Sequence, residues 1–126
     1  RMRIGHVRAD GQAWVRISVV GGSGANEEID ALLDTGFNGA LALSSGQIAA
    51  LGLNRRSKTR VVLASGERRH VPIYRATVQF GTKKQTVLVP EAGEPLVGMA
   101  LLWGYDLHVQ CADGGDVVVE ERSTEM

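Results

Sequence analysis

The feature that most constrains this chain is an apolar run, Ile29-Asp30-Ala31-Leu32-Leu33, that ends in Asp34-Thr35-Gly36. Leu and Ile at that density read as a buried strand, and the glycine lets the backbone turn sharply where the strand stops. The Asp34 carboxylate is therefore delivered to the C-terminal end of a core strand, with a hydroxyl and a glycine directly behind it. An Asp so placed is either a turn former, closing an Asx turn on its own backbone, or a reagent.

Two further stretches bear on that choice. Ala40-Leu41-Ala42-Leu43 follows the triplet closely, and Pro95-Leu96-Val97-Gly98-Met99-Ala100-Leu101-Leu102 comes far downstream. With both motifs in that order, Leu32-Leu33-Asp34-Thr35-Gly36-Phe37 and Leu96-Val97-Gly98, the chain resembles the retropepsin-like aspartic proteases over roughly residues 13 to 120. This single-lobe family includes retroviral proteases and small bacterial relatives, and Phe37-Asn38-Gly39 looks most like the bacterial-type branch. The resemblance implies a mainly β fold, a single-lobe acid-protease closed β-barrel with one or two short helices. It also implies a homodimeric aspartic endopeptidase that acts on peptide or protein substrates without metal or cofactor.

Site roles follow from the resemblance, residue by residue. Asp34 is the catalytic acid or base, and Thr35 and Gly36 buttress the carboxylates through a hydroxyl and a backbone group. Ala64, Ser65, Gly66 and Glu67 form the tip of a hairpin flap that contacts substrate backbone by strand addition. Val97 and Gly98 pack behind the site. The flap tip carries no aromatic residue, and Tyr74 lies well outside it.

Carboxylate hydrolysis of a peptide needs two acids, one ionised to take a proton from water and one protonated to polarise the carbonyl. The chain supplies one Asp-Thr-Gly. Asp10, Asp30, Asp106, Asp113 and Asp116 all lack the apolar strand before and the Thr/Ser-Gly after. The second carboxylate is thus expected from a second copy related by a two-fold axis. The alternative is a non-catalytic peptide-binding or dimerisation module on the same fold.

A chain of 126 residues reads as one domain, 1-126, large enough for a core but small for an enclosed cleft. Residues 122-126 are expected to fray as a polar tail. Formal net charge is zero, so no global signal points to nucleic acid, and none is expected as a partner. Between Asn54 and Lys84, however, nine Lys or Arg stand against the single acid Glu67. That segment reads as charged strand faces that discourage edge pairing, or as a basic rim suited to acidic peptides. A nucleic-acid surface is a weaker reading, for want of interleaved aromatics.

Cys111 is the only cysteine, so no disulfide forms within the chain, and its apolar surroundings predict a buried thiol. His6, His70 and His108 show no ligand spacing with it. No stretch approaches a membrane span, and no signal-peptide pattern is visible, which favours a cytoplasmic setting.

Taken in order, the chain predicts strands over Met2 to Ala9 and Trp14 to Val20, joined by the Asp10-Gly11 turn. Gly21-Gly22-Ser23-Gly24 is a turn and lacks the spacing of a dinucleotide loop. Ser44 or Ser45 caps a short helix that Gly52 stops. Strands Thr59 to Leu63 and Val71 to Val78 flank the tip, and Pro72 argues for an edge position. Thr86 to Pro90 and Leu96-Val97 are further strands, and Met99 to Trp103 forms a helical turn or two. Tyr105 to Cys111 and Asp116 to Glu120 make a hairpin around Asp113-Gly114-Gly115.

Overall fold

The computed structural model describes residues 1–62 and 65–123, over 55–62 by their backbone alone. In chain order the elements are β1 (Met2–Val7), β2 (Ala13–Val20), β3 (Asn26–Leu33), β4 (Leu41–Ala42), α1 (Ser45–Leu51), β5 (Asn54–Val62) and β6 (Arg68–Phe80). They continue with β7 (Lys83–Pro90), β8 (Leu96–Val97), α2 (Met99–Leu102), β9 (Tyr105–Val109) and β10 (Asp116–Glu121). The protein is mainly β, as expected, with two short helices and a sheet curled into a half-barrel.

The ten strands of the described residues belong to one sheet, in the order β4-β8-β3-β2-β1-β10-β9, with β6 joining at β2 and carrying β5 and β7. The bend comes from β2, whose first half pairs with β1 (Val15 with Gly5) and whose last residues pair with β6 (Ser18 with Gln79). Strict alternation drives this. Val15, Ile17 and Val19 point inward and are at most 2% exposed, beside Val78, Phe80, Val117 and Val119 in the same core.

Helix α1 ends where the sequence says it should, whereas α2 stops at Leu102, one residue short of the expected Trp103. Ser44 Oγ accepts from the Gln47 N–H while Ser44 N–H donates to Gln47 Oε1, a reciprocal cap at the start of α1. At its other end Gly52 takes the left-handed conformation, φ 63°, and donates to Ala49 O.

Several expectations are corrected. The hairpin strands β5 and β6 are longer than propensity suggested, because cross-strand pairing runs from Asn54–Arg75 to Val62–Arg68. Pro72 is not on an outer strand, since β6 pairs with β5, β7 and β2. It stands instead where β7 gives out: pairing to β7 stops at Ile73–Pro90, and residues 68 to 72 have β5 alone. A residue without an N–H is tolerated at that step. Cys111 is exposed rather than buried, because β9 ends at Val109 and the turn occupies Gln110 to Gly115. Leu63, Ala64 and residues 124–126, to which strand end, flap tip and tail were assigned, lie outside the described residues.

Candidate active site

Asp34 is placed where two short strands, β4 and β8, meet the end of β3. β8 pairs in parallel with β3 (Leu33 with Val97) and antiparallel with β4 (Leu41 with Val97), so it threads between the two arms of the loop that carries Asp34. The sequence drives this threading, because Val97, Leu41 and Leu43 are all fully buried and only the interior accommodates them. Backbone bonds then fix the loop. Leu32 N–H donates to Pro95 O (2.9 Å) and Asp34 N–H to Val97 O (2.9 Å).

The return side of the loop is tied as firmly. Gly98 N–H donates to Ala40 O (3.1 Å), Met99 N–H to Phe37 O (2.8 Å) and Ala100 N–H to Gly39 O (3.2 Å). A Cβ at Gly98 would run into the carbonyl oxygens of Phe37 and Gly39 and into the Phe37 ring. Glycine is required there by close approach, as anticipated, and not by an unusual φ, which is −119°. Phe37 is the residue whose structural part the sequence concealed: its ring lies against Gly39 and Gly98, two glycines far apart in the chain. Only the three together, Phe37-Asn38-Gly39 and a later apolar-apolar-Gly, could have signalled that packing.

The Asp34 side chain is half-buried, and Thr35, Gly36 and Asn38 beside it are exposed. Its Oδ1 accepts from Gly36 N–H (2.9 Å), and its carbonyl accepts from Phe37 N–H (3.1 Å). The carboxylate is thereby oriented and still open on one side. Asp30, Asp106, Asp116 and Glu67 are instead engaged on the surface by Arg16, Arg122, Arg3 and Arg69. Among the described residues no group of three or more His, Cys, Asp or Glu could hold a metal ion.

The structure thus brings together Asp34, Thr35, Gly36, Val97 and Gly98. The hairpin tip stands apart. Ser65, Gly66 and Glu67 are exposed, Gly66 has φ 86°, and Glu67 N–H donates to Ser65 Oγ (3.4 Å). Among the described residues no hydrogen bond joins this tip to the Asp34 loop. On the arm of the hairpin next to its tip, Arg69, His70, Val71 and Pro72 face Ser44, Ser45 and Glu91 to Gly93 across a cleft of about 500 Å³. Arg68, Arg69, His70, Arg75, Lys83 and Lys84 are all exposed, so the basic character predicted for this part of the chain lies at the surface.

No protein-family model and no curated protein sequence matches the chain. Among solved structures it is similar to the EIAV protease complexed with the inhibitor HBY-793, with a TM-score of 0.54 and 18% identity. The match covers 72% of this chain and 85% of that one. The fold is retropepsin-like. At this identity the likeness concerns the fold, and its retroviral source supports the retropepsin-like architecture and not the bacterial-type branch expected from Phe37-Asn38-Gly39. No helix among the described residues is long and apolar enough to cross a membrane.

Proposed function

We propose that the protein is a homodimeric aspartic endopeptidase in which two copies each contribute Asp34. The observation that carries this reading is the support of Asp34: a half-buried residue at the end of a core strand, its backbone N–H bonded to Val97 O and its carboxylate oriented by Gly36 N–H. A similar fold in a protein whose name says protease is consistent with it.

Chemistry follows from the pairing. Two carboxylates that close cannot both ionise, so they share one proton, as aspartic proteases do in general. The ionised member takes a proton from water, which attacks the scissile carbonyl; the protonated member donates to the carbonyl oxygen as charge develops there. Thr35 and Gly36 hold the pair in register, and Ser65, Gly66 and Glu67, with Ala64 beside them, close over an extended peptide whose backbone adds to the hairpin edge. The rate should trace a bell in pH whose limbs belong to the pair.

A second reading has its own observation. The bond from Gly36 N–H to Asp34 Oδ1 is also what a simple turn-forming Asp makes, and it suits a module that binds peptide or dimerises without turnover. A quenched peptide library, assayed at acid and neutral pH with wild type and Asp34→Asn, separates the two. The protease reading expects hydrolysis that the folded Asp34→Asn protein lacks. No hydrolysis in either protein would count for the module, and equal hydrolysis in both would refute Asp34 as the reagent.

A further inference from the structure

Strand β6 changes neighbours along its length. From Phe80 back to Ile73 it is flanked by β7, but that pairing stops at Ile73–Pro90, and from Pro72 to Arg68 only β5 accompanies it. The gap opens on the cleft of about 500 Å³ that residues 69 to 72 line, with Ser44, Ser45 and Glu91 to Gly93 as its other wall. That volume is in the range of binding sites. An unpaired stretch of strand beside such a cleft is a template for another strand.

The open stretch has a direction. Pro72 O accepts from Glu91 N–H (3.3 Å), so residue 72 turns its backbone toward the side that β7 occupies. Peptide groups alternate along a strand, so His70 and Arg68 turn their N–H and C=O the same way, into the gap, while Arg69 and Val71 turn theirs to β5. Among the described residues no strand pairs with His70 or Arg68 on that side, and each offers a donor and an acceptor. Pro72 has no N–H, which ends the usable edge there.

Charge says what kind of strand fits. Arg68 and His70 are exposed, and among the described residues neither forms an ion pair, whereas Arg69 on the other face is bonded to Glu67. The backbone register sets Arg60 opposite His70 and Lys58 opposite Pro72, so the face that Arg68 and His70 share holds basic positions on both strands of the hairpin and no acid. Basic residues at an edge discourage another basic strand, whereas a directly opposed acid is attracted. The carboxylate on the cleft's far wall, Glu91, belongs to the Pro72 end, where its N–H is bonded.

We propose that the edge of β6 from Arg68 to Val71 is a docking site for an extended acidic peptide, which adds as a strand where β7 stops and sets acidic side chains at alternate positions against Arg68 and His70. The site lies along the arm, after the tip Ser65 to Glu67, and occupying it requires no hydrolysis, so it stands or falls apart from the paired Asp34. A peptide seated there gives the arm a second strand neighbour and stiffens the hairpin.

Fluorescence anisotropy with short labelled peptides tests this on the Asp34→Asn chain, so that cleavage does not consume the probe. One peptide carries Glu at alternate positions among Thr and Val, and a second has Lys in place of each Glu. Single-stranded oligo-dT serves as a polyanion without a peptide backbone. The Glu peptide should bind and the Lys peptide should not. Arg68→Glu should weaken binding about tenfold, since it turns an attractive cross-strand pair into a repulsive one. Lys84→Glu, the same charge change at an exposed position on β7, should leave it within about twofold, and circular dichroism checks that both variants are folded. In hydrogen exchange the bound peptide should slow the amides of Arg68 and His70 more than those of Arg69 and Val71. Absence of binding, equal weakening by Arg68→Glu and Lys84→Glu, or protection that does not alternate along the arm would overturn the site. Tighter binding of oligo-dT than of the Glu peptide would overturn it too, in favour of a nucleic-acid surface.

Discussion

Two connections in this molecule carry the residues assigned to catalysis, and they are held in opposite ways. The loop from Asp34 to Ala40 is gripped by β8 and α2 through backbone bonds from Asp34, Gly98, Met99 and Ala100, with fully buried Leu41 and Val97 beneath it. The hairpin arm from Arg68 to Pro72 pairs as a strand with β5 alone, and Ser65 to His70 are all exposed. The contrast separates two tasks. On the proposed function, a carboxylate that must meet its twin at hydrogen-bonding distance belongs on the most over-determined backbone available, whereas a segment that must admit and release peptide is drawn from the least stable part of the fold.

Two glycines probe the comparison most strongly. Gly98→Ala pushes a methyl group into backbone carbonyls that are themselves hydrogen-bonded, so denaturant unfolding should show a loss of about 3 kcal/mol or more, the upper range for overpacking. Gly66→Ala meets open space and pays only for its left-handed backbone, φ 86°, about 1 kcal/mol. Equal losses at the two sites would erase the distinction between the regions.

Hydrogen exchange sharpens the same contrast without mutation. The amides of Asp34, Gly98 and Met99 should exchange only through near-global opening, and those of Ser65 to Glu67 through local fluctuations of little cost. Comparable protection at both would show that the hairpin tip is held by contacts as strong as those behind Asp34.

The smallest effect belongs to an ion pair on β2 and β3, below the site. Arg16 Nε donates to Asp30 Oδ1 (3.0 Å) across a directly opposed pair of residues. That hydrogen bond, with the guanidinium charge, holds the Asp30 carboxyl below its ordinary value. A depressed carboxylate contributes stability above its unfolded pKa, and that contribution is lost as pH falls through the folded value. Both side chains are largely exposed, so the gain is small and screened by salt. Asp30→Asn should therefore lower stability slightly near neutral pH and not at all in strong acid. A difference that persists in strong acid would assign Asp30 a packing part instead.

How much of this was legible in the sequence depended on the range of the interactions. The cap, at one of the two serines the sequence offered, the stop at Gly52, and the turns at Gly11 and Gly114 are local chemistry, and each appears where the residues placed it. The alternation in β2 was equally plain, since one face is buried along its whole length. Strand ends were less so: β6 extends to Arg68 and Phe80 because pairing with β5 and β7 overrides weak local propensity. Cys111 misled for the complementary reason, because an apolar neighbourhood in sequence became a turn once β9 stopped at Val109. At the site, Asp34 and Gly98 could be read separately, but the threading of β8 through the Asp34 loop, and Phe37 packed on two distant glycines, exist only in three dimensions.

The central claim is that one catalytic site needs Asp34 from two chains, and subunit exchange tests it most directly. Wild-type and Asp34→Asn chains are mixed in equal amounts, exchange is verified by tagging one of them, and cleavage of a quenched peptide is followed. Random pairing leaves about a quarter of all dimers with two Asp34 side chains, so the wild-type chains should lose about half of their activity. Unchanged activity after demonstrated exchange would mean that each chain is sufficient alone, and the shared site would be refuted.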